Sequence, residues 1–328
     1  MKKRAFGKTG LEVTEVGLGC WQLGGSCWGG MDERRAFSIM RTAVDEGIRF
    51  FDTADVYGPG QSEEFIGRFL KGCAEEIFVA TKVGRYPEPG WPGNFEMDVM
   101  RRQVEASLRR LQVDCIDLLQ LHSLNMEQIT RYGLFDKLRV LQEEGKIRRF
   151  GASVESMDEA IACLEYEGLT SLQIIFNIFR QKPIDVLFDK AKARGAALII
   201  RLPLASGLLA GKLTKDSKFA EGDHRTFNVD GEAFSVGETF AGLRLEKGVE
   251  LADALKGWVP EQMSMAQMAM RWILDYDAVS VVIPGASRPE QVVSNASASE
   301  LSPLSEELHE KLRQFYETNV KQHIRGKY

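Results

Sequence analysis

The stretch Ile48-Arg49-Phe50-Phe51-Asp52-Thr53-Ala54-Asp55-Val56-Tyr57-Gly58 reads as an apolar β-strand that ends on an acid and runs into a loop carrying a phenol. The pattern recurs downstream. Ile77-Phe78-Val79-Ala80-Thr81-Lys82 ends on an amine, and Ile116-Asp117-Leu118-Leu119-Gln120-Leu121-His122 ends on an imidazole. Short apolar runs bounded by turn residues predict strands buried on both faces of a parallel sheet. In neighbouring parallel strands, Asp52, Tyr57, Lys82 and His122 converge on the rim at the strand C-terminal ends. An acid, a phenol, an amine and an imidazole together there form a proton-donating site suited to carbonyl chemistry.

Outward from these runs the chain alternates strand and helix. Strands are expected at 16–19, 49–52, 78–82, 115–122, 146–153, 172–175, 197–201 and 279–283. Helices are expected at 33–45 behind an Asp32 N-cap, after Ser62, and at 98–111, 132–144, 156–166, 183–193, 264–274 and 289–297. Repeated βα units imply a parallel sheet with helical crossovers, and eight of them favour a closed (β/α)8 TIM barrel. An open doubly wound sheet is the rival, but Gly17-Leu18-Gly19-Cys20-Trp21-Gln22 has Gln22 where the third glycine of its nucleotide turn belongs. Residues 4–13 predict a β-hairpin closing one end of the barrel. The polar segment 214–238 is expected to be a long loop on the active rim, able to fold over a ligand. A helix at 305–313 and the tail to Tyr328 are expected outside the barrel, and no boundary divides residues 1–328 into two domains.

Hydrophobic residues make up 44% and charged residues 27%, a balance that fits a globular enzyme. The net charge of −5 arises from well-mixed signs and argues against nucleic acid or an anionic membrane surface as the main partner. The basic N-terminus lacks the apolar core of a signal peptide, and no apolar run approaches the ~20 residues of a membrane span. The cysteines Cys20, Cys27, Cys73, Cys115 and Cys163 show no C-x-x-C spacing and are expected as reduced thiols in a cytoplasmic protein. The histidines His122, His224, His309 and His323 lack zinc-type spacing, so no metal is expected.

The ordered set Asp52, Tyr57, Lys82 and His122 resembles the catalytic tetrad of the aldo-keto reductase superfamily, and segments such as Pro203-Leu-Ala-Ser-Gly-Leu-Leu-Ala-Gly-Lys212 resemble its bacterial-type members. The resemblance covers nearly the whole chain. It implies hydride transfer between NADP(H) and an aldehyde or ketone, with Tyr57 as general acid. A free phenol titrates near ~10, too weak an acid for rapid delivery at neutral pH. A nearby Lys82 ammonium is expected to lower that value. Asp52 would hold Lys82 charged and oriented, and His122 would donate to the carbonyl oxygen. Taken singly, each has an ordinary reading: a packing phenol, a turn cap, a rim charge and a satisfied buried imidazole.

The same resemblance assigns a cofactor set. Ser153 and Gln173 would hydrogen-bond the nicotinamide carboxamide, with Asn177 nearby, although Val154 stands where Asn often follows the Ser. Capping is the neutral reading of Ser153 and Asn177. Arg201 takes the place of an aromatic ring that many relatives stack on the nicotinamide; a guanidinium can stack there too. Ser206, Gly207 and Leu208 would offer backbone N–H groups to the pyrophosphate, and Lys212 a charge. Ser287 and Arg288 would clamp a 2′-phosphate at a helix N-terminus. Gln291 and Asn295, four apart, would reach the adenine, and Gly285 stands where some relatives have Lys. NADPH is therefore expected ahead of NADH.

Trp21, Trp28, Tyr86 and Trp91 follow the first and third strands and are candidates for an apolar substrate wall beside Tyr57. Arg225 is a further candidate for contact with cofactor or substrate if the long loop closes. Two alternatives stand beside the reductase. One is a sugar or polyol dehydrogenase, since hydride transfer is reversible. The other is a non-catalytic cofactor-binding regulatory subunit, disfavoured because no long extension precedes the first strand. The substrate and the oligomeric state are not legible in the sequence.

Overall fold

Two short strands, β1 (Lys3–Ala5) and β2 (Glu12–Thr14), open the chain as an antiparallel hairpin in the computed structural model, which describes residues 1–328. Eight parallel strands follow: β3 (Leu18–Gly19), β4 (Phe50–Asp52), β5 (Phe78–Val83), β6 (Leu118–Leu124), β7 (Phe150–Val154), β8 (Leu169–Ile175), β9 (Ala197–Arg201) and β10 (Val279–Val282). Each pairs with its neighbour in chain order. The sheet curls until its edges meet, where Gly17 N–H donates to Val282 O (2.8 Å), Gly19 N–H to Pro284 O (3.0 Å) and Val282 N–H to Glu15 O (2.9 Å). Closure removes both free edges, whose unpaired backbone groups would otherwise be exposed.

The helices are α1 (Glu33–Asp45), α2 (Gln61–Lys71), α3 (Met97–Leu111), α4 (Met126–Arg131), α5 (Leu134–Glu143), α6 (Met157–Leu164) and α7 (Lys182–Val186). They continue with α8 (Phe188–Arg194), α9 (His224–Phe227), α10 (Leu245–Leu255), α11 (Met265–Leu274), α12 (Pro289–Ala296) and α13 (Glu306–Phe315). Local chemistry starts several of them. The Asp32 carboxylate accepts from Arg35 N–H (2.9 Å) at α1, and Ser156 with Glu159, and Ser264 with Gln267, form capping boxes at α6 and α11. The fold agrees with the barrel, hairpin and rim loop expected from the sequence. It adds α4, α9 and α10, divides the helix expected at 183–193 into α7 and α8, and begins β6 at Leu118 rather than Cys115.

Strand parity decides what faces the barrel interior. Phe50, Ala80, Leu118, Ala197, Ile199, Val281 and Ile283 pack around Phe6 of the hairpin as one interior cluster. Their chain neighbours Phe51, Val79, Leu119, Leu198, Ile200 and Val282 belong to the larger core between strands and helices. Successive side chains point to opposite faces. Two residues beyond the interior set, the same parity therefore brings Asp52, Lys82, Gln120 and Arg201 inward, and two further on His122. The bottom of the barrel is thus apolar and its C-terminal end polar. Phe6 closes the bottom, with its ring 6.1 Å from that of Phe50 and 5.5 Å from that of Phe78. No helix is long and apolar enough to cross a membrane.

Candidate active site

At the polar end, Lys82 Nζ donates to Asp52 Oδ1 (2.5 Å), to Thr53 O (2.8 Å) and to the Tyr57 hydroxyl (3.4 Å). Lys82 and Asp52 are both buried. The second oxygen of Asp52 accepts from Gln173 Nε2 (2.7 Å) and Gln120 Nε2 (3.1 Å). A buried carboxyl group with this many donors is held in one geometry. The Tyr57 ring stacks on Trp21 at 6.0 Å, and the His122 ring stands edge-on to it at 5.8 Å. The His122 Nδ1 atom is buried without a protein partner.

Burial sets the protonation states. It pushes the Tyr57 phenol above its ordinary value; the Lys82 charge pulls the other way and does not prevail. The expected lowering of the Tyr57 pKa is therefore corrected, because desolvating a phenolate outweighs one ammonium that Asp52 already neutralises. Burial also works against the Lys82 ammonium, but Asp52 and Tyr57 more than offset it and raise its pKa. His122 is pushed well below the usual imidazole value, by burial first and then by Arg85, Lys82 and Arg201. At neutral pH the site thus contains a neutral phenol, an ammonium and a neutral imidazole.

Asp52, Tyr57 and His122 line a cleft of about 600 Å³, with Lys82 buried behind them. Of the sequence-predicted residues, Asp52, Tyr57, His122, Trp21, Trp28, Ser153, Gln173, Arg201, Ser206, Gly207, Arg225, Gly285, Ser287 and Gln291 line it. Gln173 donates from its amide nitrogen to Asp52 (2.7 Å) and Gln120 Oε1 (3.5 Å), so its carbonyl oxygen is what remains for a ligand. Gly207 N–H is given to Leu204 O (2.9 Å), although the left-handed turn at Ser206 and Gly207 does face the cleft. Ser287 N–H and Oγ are both held by Gln291 Oε1, at 2.8 and 3.1 Å. A Cβ at Gly285 would meet the Gln22 carboxamide, which would have to swing aside.

Other candidates lie elsewhere. Asn177 spends both ends of its amide on the backbone, donating to Leu202 O and accepting from Phe179 N–H, each at 2.9 Å. Leu208 is buried in the core, Lys212 points to solvent, and Asn295 is buried in α12 away from the cleft. Arg288 is exposed at the N-cap of α12, outside the cleft lining but next to Ser287. Tyr86 and Trp91 do not form the substrate wall. The Tyr86 hydroxyl donates to Asp55 O (3.0 Å), and Asn94 Nδ2 holds Tyr86 O (2.6 Å), which turns their loop away. Trp91 packs edge-on against Tyr132 at 4.5 Å.

The wall is instead completed by residues that the sequence reading passed over: Gln22, Arg85, Ser123, Phe234 and Glu238. Arg85 and Ser123 could have been found, since Arg85 lies just past the end of β5, three residues after Lys82, and Ser123 directly follows His122 in β6. Phe234 and Glu238 lie in the irregular rim segment, where no periodicity marks an inward face. Arg85 Nη1 donates to Glu238 Oε1 (3.1 Å), and Arg201 pairs with Glu155.

A model of the Aldo/keto reductase family matches residues 15–317. The chain belongs to this family. It is 31% identical over 304 residues to the aldo-keto reductase YhdN of Bacillus subtilis, covering 89% of this chain and 87% of that protein. The Schizosaccharomyces pombe aldo-keto reductase yakc [NADP(+)] is 29% identical over 294 residues, covering 87% of this chain and 84% of the relative. Among solved structures, the glycerol dehydrogenase AKR11B4 of Gluconobacter oxydans superposes with a TM-score of 0.79 at 27% identity, covering 99% of this chain and 98% of the other. Membership of the aldo/keto reductases makes the chain an oxidoreductase acting on small carbonyl compounds or the corresponding alcohols.

Proposed function

We propose that this chain reduces an aldehyde or ketone with NADPH, using Tyr57 as general acid. The observation that carries the reading is the buried chain from Asp52 through Lys82 to the Tyr57 hydroxyl at the base of the cleft. The same cleft is lined by Tyr57 and His122 and by Ser287 and Gln291 beside the α12 N-terminus, so it suits a dinucleotide whose phosphates meet N–H donors. NADPH, when bound, supplies the hydride to the carbonyl carbon. Tyr57 gives its proton to the carbonyl oxygen, and Lys82 stabilises the phenolate left behind. Asp52 keeps Lys82 charged, and His122, neutral and facing the cleft, orients the carbonyl through a hydrogen bond. Ser153 and Gln173 hold the nicotinamide end, Arg201 borders it, and exposed Arg288 meets the 2′-phosphate, joined by Ser287 once Gln291 releases its donors. The name of the fission-yeast relative supports NADP.

Fluorescence titration with NADPH and NADH, followed by addition of an aromatic aldehyde, tests this. Tyr57→Phe is expected to lower kcat by at least ~100-fold while leaving the NADPH Kd within about twofold. Cofactor binding without turnover across a panel of carbonyls would instead favour a regulatory cofactor-binding role. The similarity to a glycerol dehydrogenase supports a second reading, in which the same groups work in the oxidative direction on a polyol.

A further inference from the structure

The cleft wall beside Tyr57 carries an ion pair that proton transfer does not use. Arg85 leaves β5 three residues after Lys82, and Ser123 directly follows His122 in β6, so both stand at the opening where the carbonyl must sit. Glu238 reaches the same place from the rim segment. Its Oε1 accepts from Arg85 Nη1 (3.1 Å) and from Ser123 Oγ (3.4 Å). Burial works against the Glu238 carboxylate, but Arg85 and Arg201 outweigh it, so it stays ionised. The Arg85 guanidinium lies over the Phe234 ring at 5.4 Å, and its Nε and Nη2 have no protein partner. Both side chains line the cleft, with 25% of Arg85 and 8% of Glu238 exposed.

A plain alkyl carbonyl entering this space would strip water from both charges and return nothing. The two charges keep each other, but the hydrogen-bonding capacity they leave over goes unmet, and that desolvation counts against the complex. A carboxylate substrate would gain Arg85 but meet Glu238 at close range. A hydroxyl is donor and acceptor at once. It accepts from Arg85 and donates to Glu238, while Trp21, Trp28 and Phe234 offer apolar surface to the carbon chain. We propose that Arg85 and Glu238 are the specificity-determining pair of this site, and that its substrates are small carbonyl compounds bearing a hydroxyl beside the carbonyl. This rests on the carbonyl-reductase reading and gives that reading its substrate class. The hydroxyl is bound, not consumed; hydride and proton still go to the carbonyl carbon and oxygen.

The test compares kcat/KM for glyceraldehyde, propanal and succinic semialdehyde with NADPH in the wild type, Glu238→Gln and Arg85→Gln. Fluorescence titration of NADPH checks that each variant is folded. The wild type is expected to prefer glyceraldehyde over propanal by about 100-fold or more, because a site built to bond a hydroxyl rejects the analogue lacking it. Each variant is expected to narrow that ratio by about tenfold or more, chiefly through KM for glyceraldehyde. Equal rates for glyceraldehyde and propanal in the wild type would overturn the proposal without any variant. So would a preference for succinic semialdehyde, or variants that lower both neutral substrates by one factor, as a mere latch on the rim segment would. If NADPH binds and none of the three aldehydes is reduced, the reductase reading fails first and the proposal falls with it.

Discussion

Tyr57 is pulled in two directions, and the stronger pull sets how the reaction responds to pH. Burial raises the phenol and the Lys82 ammonium lowers it, with burial ahead. A group whose pKa is raised stays protonated until the pH climbs through that raised value. The acid form needed for reduction is therefore complete at neutral pH and lost only on the alkaline side, above the ~10 of a free phenol. His122 adds no inflection near its ordinary value, because burial and the Arg85, Lys82 and Arg201 charges keep it neutral until far lower pH. The expected profile of kcat/KM for reduction is flat from about pH 6 to about pH 9, with a single descending limb above. A descending limb centred near pH 7 to 8 would mean that Lys82 outweighs burial once cofactor is in place. Most of these reacting residues could be read from the sequence, because each ends an apolar run. Their charge states could not, because desolvation depends on what covers Tyr57, and Trp21 does so from another loop.

Among the elements, the hairpin does more than its few residues suggest. β1 and β2 carry Phe6 across the barrel bottom, where it contacts Phe50 and Phe78 and joins the interior cluster. Phe6→Ala would open a cavity beneath the polar layer. It is expected to lower unfolding stability by about 3–5 kcal/mol, measured by denaturant titration monitored by circular dichroism. A loss below about 1 kcal/mol would mean that the barrel bottom collapses to fill the space. The regular elements were the legible part of the fold. Apolar runs of strand length and capped amphipathic helices are local patterns, and the barrel follows from their order. Misplacements such as Tyr86, Trp91 and Asn177 fell where turns and side-chain-to-backbone hydrogen bonds decide direction. Asn177 looks like a ligand contact in sequence, yet its amide is used up holding the turn after β8.

The least legible feature is the joining of distant segments over the cleft, since its contacts link residues far apart in the chain. His224 N–H donates to Cys27 O (3.1 Å), tying the rim segment to the loop after β3, and Arg85 ties it to β5 through Glu238. The tail holds it from outside. Arg325 Nε donates to Gly242 O (3.0 Å), its Nη2 to Val229 O (2.8 Å) and Leu243 O (3.2 Å), and its Nη1 pairs with Asp230. One guanidinium thus satisfies three carbonyls of a segment that has little regular structure of its own, and Phe234 and Glu238 of the cleft wall lie within that segment. Arg325→Ala would leave those carbonyls to find water, at about 1–3 kcal/mol for each group that stays buried. The barrel strands have no part in these bonds, so the loss should be local. Hydrogen exchange is expected to quicken in residues 228–243 and stay unchanged in β4 to β9. Because the same segment covers the cleft, release of NADPH in stopped-flow fluorescence is expected to accelerate several-fold. Unchanged exchange in 228–243 would show that the contacts with Cys27 and Arg85 suffice, and that the tail is not what holds the rim closed.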